Sequence, residues 1–332
     1  MKFREIGKTG IRASVVGFGT WAIGGDPWWD KETKDEDSIA AIQAGLDHGI
    51  NLIDTAPGYG RGRSELVVGK AITGYDREKL VISTKCGIIW WGNEGAFMME
   101  VGGTKLYRNL EPHSIRTEVE NSLRNMKTDY IDVLHTHWQS LPEFPTPISR
   151  TMEGLMQLQQ EGKIRAIGVS NCDVAQMKEY MEAGRIDVNQ PPYSMLNRGI
   201  EGEFTNYCLA NDISIFAYSP LEQGLLTGNF KKDYEAQPGT YRADFIPWYK
   251  KENRVKVIDM LDGWKDIAQK YNATISQIVI AWTYCQPGIT HVLCGARHPG
   301  HVIENVNAGN IELSAAELTR MRADIEALGA PV

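Results

Sequence analysis

The chain has 332 residues, 42% of them hydrophobic and 23% charged, enough apolar material for a large core and unlike a disordered or fibrous composition. Its formal net charge of -7 offers no basic surface for a phosphate backbone, so nucleic acid is not the expected partner. The N-terminal MKFREIGKTG lacks the apolar core of a signal peptide, and no apolar run approaches membrane-spanning length, so a soluble cytoplasmic protein with no membrane partner is expected. The five cysteines, Cys86, Cys172, Cys208, Cys285 and Cys294, are odd in number, scattered and never in a CxxC pair, which suits reduced thiols.

In chain order, Phe3 to Ile6 and Ile11 to Ser14 flank the turn GKTG and predict a short β-hairpin, an opening flap. Val15 to Phe18 is the next apolar run and leads into GTWAIGGDPWW, where the glycines allow close backbone approach and Trp21, Trp28 and Trp29 offer flat surfaces. Asp35 to His48 has helical spacing and stops at Gly49. A strand-then-helix rhythm then repeats. Ile50 to Ile53 precedes Ser64 to Ile72, and Leu80 to Thr84 precedes, after a long loop, Ser114 to Met126. Tyr130 to Leu134 precedes Ser149 to Gln160, Ile164 to Val169 precedes Val174 to Ala183, and Asp187 to Asn189 precedes Glu201 to Ala210. Ile213 to Ala217 precedes a long loop and two helical runs, and His291 to Leu293 precedes Gly300 to Ala308.

Such alternation implies a parallel sheet, because each parallel strand needs a crossover. Eight units in series from Val15 point to an α/β fold of the (β/α)8 TIM-barrel type, one domain over residues 1–332. The N-terminal hairpin and a C-terminal helix, Ser314 to Leu328, stand outside the eight units; the helix opens on SAAE, a capping-box spacing. An open doubly wound sheet is the alternative, but GFGTWAIGG is not its GxGxxG turn.

In a barrel of this kind, working groups collect where strands end. Asp54 and Tyr59 follow the second strand, Lys85 the third, His137 the fourth, and Ser170 and Asn171 the fifth. Asn189 and Gln190 end the sixth strand, Tyr218 and Ser219 the seventh. A phenol ordinarily titrates at about 10 and donates its proton poorly at neutral pH. A neighbouring ammonium stabilises the phenolate and lowers that pKa, and a carboxylate paired with the ammonium holds it in place. Asp54, Tyr59, Lys85 and His137 at one mouth therefore suit proton donation to an oxygen that becomes negative during reduction. A lysine directly after an apolar strand also needs such a partner, since burying it alone is costly.

With NLIDTAPGYG, STKCG, a strand ending in HW, GKIRAIGVSN, AYSPLEQGLLTG and CGARHPG in order over essentially the whole chain, the sequence resembles the aldo-keto reductases. Within that family it is most similar to a bacterial branch that includes methylglyoxal and glyceraldehyde reductases. The resemblance implies Tyr59 as general acid, Lys85 and Asp54 as its tuning pair and His137 as the group that orients the carbonyl. It implies a nicotinamide cofactor whose carboxamide bonds Ser170, Asn171 and Gln190 and whose ring stacks on Tyr218, with Asp54, Gly19, Thr20 and Trp21 nearby. The backbone from Ser219 through Pro220, Leu221 and Gly224 to Leu226, with Gly295, Ala296 and Arg297, would hold the pyrophosphate and adenosine end. Glu304 and Asn305 match the adenine-contacting EN pair, while His301 stands where relatives often have Gln.

Arg297 suits the 2′-phosphate of NADPH, because a guanidinium matches phosphate geometry, and NADPH is favoured over NADH. The expected substrate is a small carbonyl compound, such as methylglyoxal, glyceraldehyde or a sugar-type carbonyl. Pocket walls are expected from Trp21, Tyr59, His137 and Trp138, from the insertion Cys86 to Pro112 with Trp90, Trp91 and Tyr107, and from Glu222 to Asn253 with Phe245, Trp248 and Tyr249. Two rival readings stand beside this one. His135 and His137 are two apart on a strand and face one side, which would suit a metal-dependent hydrolase, although His48 and His113 fall in helices and no further ligand set is evident, so no metal is expected. A non-catalytic nicotinamide-binding redox sensor, like the potassium-channel β subunits of this fold, is the other. Nothing in the sequence sets the oligomeric state.

Overall fold

The structure, a computed structural model, describes residues 1–25 and 34–332; Trp28 and Trp29 lie outside the described residues. Strands β1 (Phe3–Glu5) and β2 (Arg12–Ser14) pair antiparallel as the expected hairpin. The alternating series follows: β3 (Val16–Gly19), α1 (Asp35–Asp47), β4 (Leu52–Asp54), α2 (Arg63–Ala71) and β5 (Val81–Cys86). Between β5 and α3 (Pro112–Met126) lie β6 (Ile88–Ile89), β7 (Ala96–Val101) and β8 (Thr104–Arg108). Then come β9 (Ile131–Thr136), α4 (Ile148–Gln160), β10 (Ile164–Ser170), α5 (Val174–Ala183), β11 (Val188–Gln190), α6 (Glu203–Ala210) and β12 (Ser214–Tyr218). The chain ends with α7 (Tyr241–Phe245), α8 (Lys251–Asp262), α9 (Lys265–Lys270), α10 (Ile275–Tyr284), β13 (Ile289–Gly295), α11 (Pro299–Ala308) and α12 (Ala315–Ala327).

Eight parallel strands close in the order β3-β4-β5-β9-β10-β11-β12-β13, and β13 returns to β3. The (β/α)8 barrel is therefore as the sequence implies. Residues alternate between the interior and the helix-facing side with period two. Leu52, Val81, Val133, Ala166, Val188, Phe216 and Leu293 form an apolar layer inside, joined by Ile6, Ile11 and Ala13 of the hairpin. The hairpin is thus a plug rather than the expected flap. It seals the floor of the barrel, tied there by Gly7 N–H donating to Ser214 Oγ at 2.9 Å and Ser14 N–H to Asn51 Oδ1 at 2.7 Å.

The stretch expected as a long loop after β5 folds instead into an antiparallel sheet in the order β6-β8-β7. Its hairpin turn is Gly102-Gly103, both at positive φ (55° and 77°), the conformation that two-residue hairpin loops require. Ser314 caps α12 in the expected capping box, and Trp264 Nε1 donates to Asp324 Oδ2 at 2.8 Å to hold that helix against the barrel. The five cysteines are free thiols. No helix among the described residues is long and apolar enough to cross a membrane.

Candidate active site

Two residues above the apolar floor on four of the strands, the interior turns polar. Leu52 is followed inward by Asp54, Val81 by Ser83 and Lys85, Val133 by His135, and Val188 by Gln190, as a two-residue period demands. Asp54 and Lys85 are almost fully buried, 3% and 1% exposed. Lys85 Nζ donates to Asp54 Oδ2 at 2.7 Å and to the Thr55 carbonyl at 2.9 Å. The other carboxylate oxygen, Oδ1, accepts from Ser83 Oγ at 2.8 Å and from Gln190 Nε2 at 2.9 Å. A buried carboxylate persists in low dielectric only when paired and hydrogen-bonded in this way. Burial pulls the Lys85 ammonium toward losing its proton, but the Asp54 carboxylate and Tyr59 outweigh it, and its pKa is raised.

Tyr59 sits on the loop after β4, with Lys85 Nζ 4.9 Å from its ring centre. His137 follows the end of β9; its backbone N–H donates to the Cys86 carbonyl at 2.8 Å, and its ring stands edge-on to Tyr59, centroids 5.7 Å apart at 82°. Both rings line one cleft of about 640 Å³, beneath which Lys85 is buried. The phenol differs from the sequence expectation in one respect. Burial pushes its pKa up, Lys85 offsets only part of that and Asp54 adds to it, so the net direction is upward and the group holds its proton. His137 moves the opposite way: burial, reinforced by Lys85, His135 and Arg108, lowers it well below the ordinary imidazole value and keeps it neutral. Of the two histidines weighed as a metal pair, His135 points into the barrel, where Ser83 Oγ lies 2.9 Å from Nε2, while His137 faces the cleft. No cluster of three potential metal ligands occurs among the described residues.

The residues placed at the carboxamide form one bonded group. Ser170 Oγ donates to the Gln190 carbonyl at 2.8 Å, and Asn171 Nδ2 donates to Ser170 Oγ and to the His137 carbonyl, each at 3.1 Å. Tyr218 Oη donates to Asn171 Oδ1 at 2.9 Å. Asn171 adopts φ 53°, a left-handed conformation that asparagine tolerates and that turns its amide back over the mouth. Beyond Tyr218, positive φ at Ser219, Glu222, Gln223 and Gly224 curls the chain along the cleft. The Gln223 carbonyl accepts from Arg242 Nε and Nη2 (3.0 and 2.8 Å) and from Tyr249 Oη (3.0 Å), which fastens this turn to the segment that carries α7.

The cleft continues past Gly19, Thr20 and Trp21 to Gly295, Ala296 and Arg297 and the first turns of α11, where His301, Glu304 and Asn305 line it. Ser219, Pro220, Leu221 and Gly224 line it as well. An elongated cleft with amide donors and acceptors beside a flat phenol ring at one end, and a guanidinium beside a helix start at the other, fits a dinucleotide. Glu304 is partly committed elsewhere, accepting from Thr274 Oγ1 at 2.5 Å. The 3-10 turn Glu222–Thr227 directs the Leu226 side chain into the apolar shell between barrel and helices, which leaves its backbone for the expected cofactor contact.

The expected walls divide. Trp21 and Trp138 line the cleft, Trp21 edge-on to Tyr241 at 5.2 Å and Trp138 beneath the Arg108 guanidinium at 5.0 Å. Trp90 and Trp91 do not: the strand pairing of β6 with β8 carries them to a separate cavity of about 150 Å³ beside Glu65 and Glu118. Trp248 is 8% exposed and packs into the apolar shell as part of a 3-10 turn, and Tyr107 stacks edge-on with Phe97 instead. Sequence reasoning did not identify Ile88, Met98, Met99, Val101 and Leu106, the apolar wall supplied by the antiparallel sheet. The Gly-Gly pair between AFMMEV and TKLYR was the hairpin signal that would have found most of them.

The aldo/keto reductase family model matches residues 15–326. The chain is 47% identical over 328 residues to the NADH-specific methylglyoxal reductase of Escherichia coli (strain K12), covering 99% of both chains. It is 32% identical to a probable voltage-gated potassium channel subunit beta of Arabidopsis thaliana, over 94% of this chain and 92% of that one. Among solved structures it is similar to a glycerol dehydrogenase from Gluconobacter oxydans, with a TM-score of 0.86 at 33% identity, covering 99% of this chain and 96% of the other.

Proposed function

We propose that this chain, which belongs to the aldo/keto reductase family, reduces small aldehydes and ketoaldehydes to alcohols with a reduced nicotinamide cofactor and with Tyr59 as general acid. The observation that carries this reading is the grouping of Tyr59 and His137 on one cleft above the buried Lys85–Asp54 pair. NADH or NADPH, held by Ser170, Asn171, Gln190 and Tyr218 at one end and by Arg297 and the start of α11 at the other, supplies the hydride. The protein supplies the proton. Tyr59 stays protonated at neutral pH because of burial, so it is available as a donor when the carbonyl oxygen gains negative charge. Lys85 stabilises the phenolate left behind, and Asp54 holds Lys85 in place. His137, kept neutral, offers a ring N–H to the carbonyl oxygen and orients it without adding a charge.

Methylglyoxal, glyceraldehyde and sugar-type carbonyls suit this chemistry, and the name of the 47%-identical relative puts methylglyoxal first among them. Arg297 favours the 2′-phosphate of NADPH, whereas that relative is named as NADH-specific. A panel of these carbonyls, run with each cofactor and followed by loss of reduced-nicotinamide absorbance, tests the proposal. Turnover of at least one aldehyde with a measurable preference for one cofactor supports it. Tight cofactor binding with no turnover across the panel would favour the redox-sensor reading, to which the potassium-channel relative lends support.

A further inference from the structure

The HTH motif at the end of β9 leaves one histidine without a role in this chemistry. His135 is fully buried and sits one layer below the cleft. Its Nε2 is 2.9 Å from Ser83 Oγ, and Ser83 Oγ is 2.8 Å from Asp54 Oδ1. A serine hydroxyl has a single proton. Asp54, ion-paired with Lys85, is an acceptor only, so Ser83 spends that proton on Asp54 and must itself accept from His135. The ring is therefore the Nε2–H tautomer. Its other nitrogen, Nδ1, lies 3.4 Å from the Val169 carbonyl, a longer and weaker contact than the one Nε2 makes with Ser83. Burial lowers the His135 pKa to about 4, so the ring is neutral at neutral pH and has just one N–H to give.

Space for the ring is made by its neighbour across the sheet. Gly168 is the register partner of His135, and a Cβ at Gly168 would collide with His135 Nδ1. Phe216, with its centroid 5.9 Å away, packs against the ring from β12. The glycine thus lets β10 accept a ring whose Nε2–H is aimed at Ser83.

We propose that His135 is a positioning residue for the proton-donating site: by donating to Ser83 it orients the Ser83 hydroxyl onto Asp54 Oδ1, which fixes the carboxylate that holds Lys85 beneath Tyr59. Without His135 the Ser83 oxygen loses its donor and the hydroxyl is held by Asp54 alone, so the carboxylate and the Lys85 ammonium that it anchors are less sharply fixed. The effect belongs to turnover rather than to substrate binding, since neither His135 nor Ser83 lines the cleft.

The inference rests on Tyr59 as general acid, and the tests separate the two. In His135→Leu and Ser83→Ala, kcat should fall about ten-fold with KM changed by less than about two-fold, the size expected for losing one buried hydrogen bond from a network. His135→Gln, whose amide N–H reaches the place of Nε2–H, should recover most of the loss. Nitrogen-15 NMR of the wild-type imidazole should report the Nε2–H tautomer, a readout independent of any variant's folding. An Nδ1–H tautomer overturns the proposal, as does unchanged kcat in a folded His135→Leu or an equal loss in His135→Gln. A dead Tyr59→Phe beside an unimpaired His135→Leu sinks this inference alone, whereas an active Tyr59→Phe sinks the reading on which it rests.

Discussion

Lys85 and Asp54 are each too costly to bury alone, and together they are tolerable because each satisfies the other and both have further hydrogen bonds. Removing one partner strands the other. Lys85→Met should therefore lower unfolding stability by about 3–5 kcal/mol, the range seen when a buried pair is broken, as well as abolish turnover. Chemical denaturation of the purified variant measures it, and a loss under about 1 kcal/mol would show that Asp54 is not held as an isolated buried charge. Lys85 was legible in the sequence, because a lysine directly after an apolar strand is costly to bury unless it pairs, and Asp54 followed as its partner at the same mouth. The direction of the Tyr59 shift was not. It depends on how far burial outweighs the nearby ammonium, and burial is a property of the folded mouth.

At the scale of elements, β9 and β10 meet where His135 faces Gly168. Gly168→Ala should cost about 1–3 kcal/mol through overpacking, and in combination with His135→Ala the two losses should fall short of their sum, because the side chain that clashes is gone. Full additivity in a double-mutant cycle would contradict the contact. The barrel strands were readable from their apolar runs and helical intervals. The antiparallel sheet after β5 was not read, since AFMMEV and TKLYR mix exposed and buried positions and only their Gly-Gly turn betrays them. Mistaking that sheet for a loop also misplaced Trp90 and Trp91, whose pairing turns them away from the cleft. Trp248 fails for a related reason: it lies in a 3-10 turn, and no simple period foretells which way such a turn directs a side chain.

Over the whole molecule, the barrel interior is graded from an apolar floor plugged by the N-terminal hairpin to a polar mouth, and neutral histidines are buried along it. Burial lowers His291 to about 3 and His135 to about 4, against about 6.5 in an unfolded chain. Below about pH 6.5 the unfolded chain therefore binds protons that the folded chain refuses, and each such histidine removes about 1.4 kcal/mol of stability per pH unit as pH falls toward its folded value. His291→Leu should lessen the slope between pH 6 and 4.5 by about that amount, measured by denaturant unfolding at several pH values; an unchanged slope would mean that His291 is protonated in the folded state. The grouping of residues at the mouth leads to the central claim that Tyr59 delivers the proton. The most direct measurement is the rate at which reduced nicotinamide is consumed on adding methylglyoxal to matched, cofactor-saturated wild type and Tyr59→Phe. The account predicts that the variant binds cofactor as the wild type does and loses turnover by at least about a hundred-fold; a Tyr59→Phe enzyme that consumes the cofactor at the wild-type rate would contradict it.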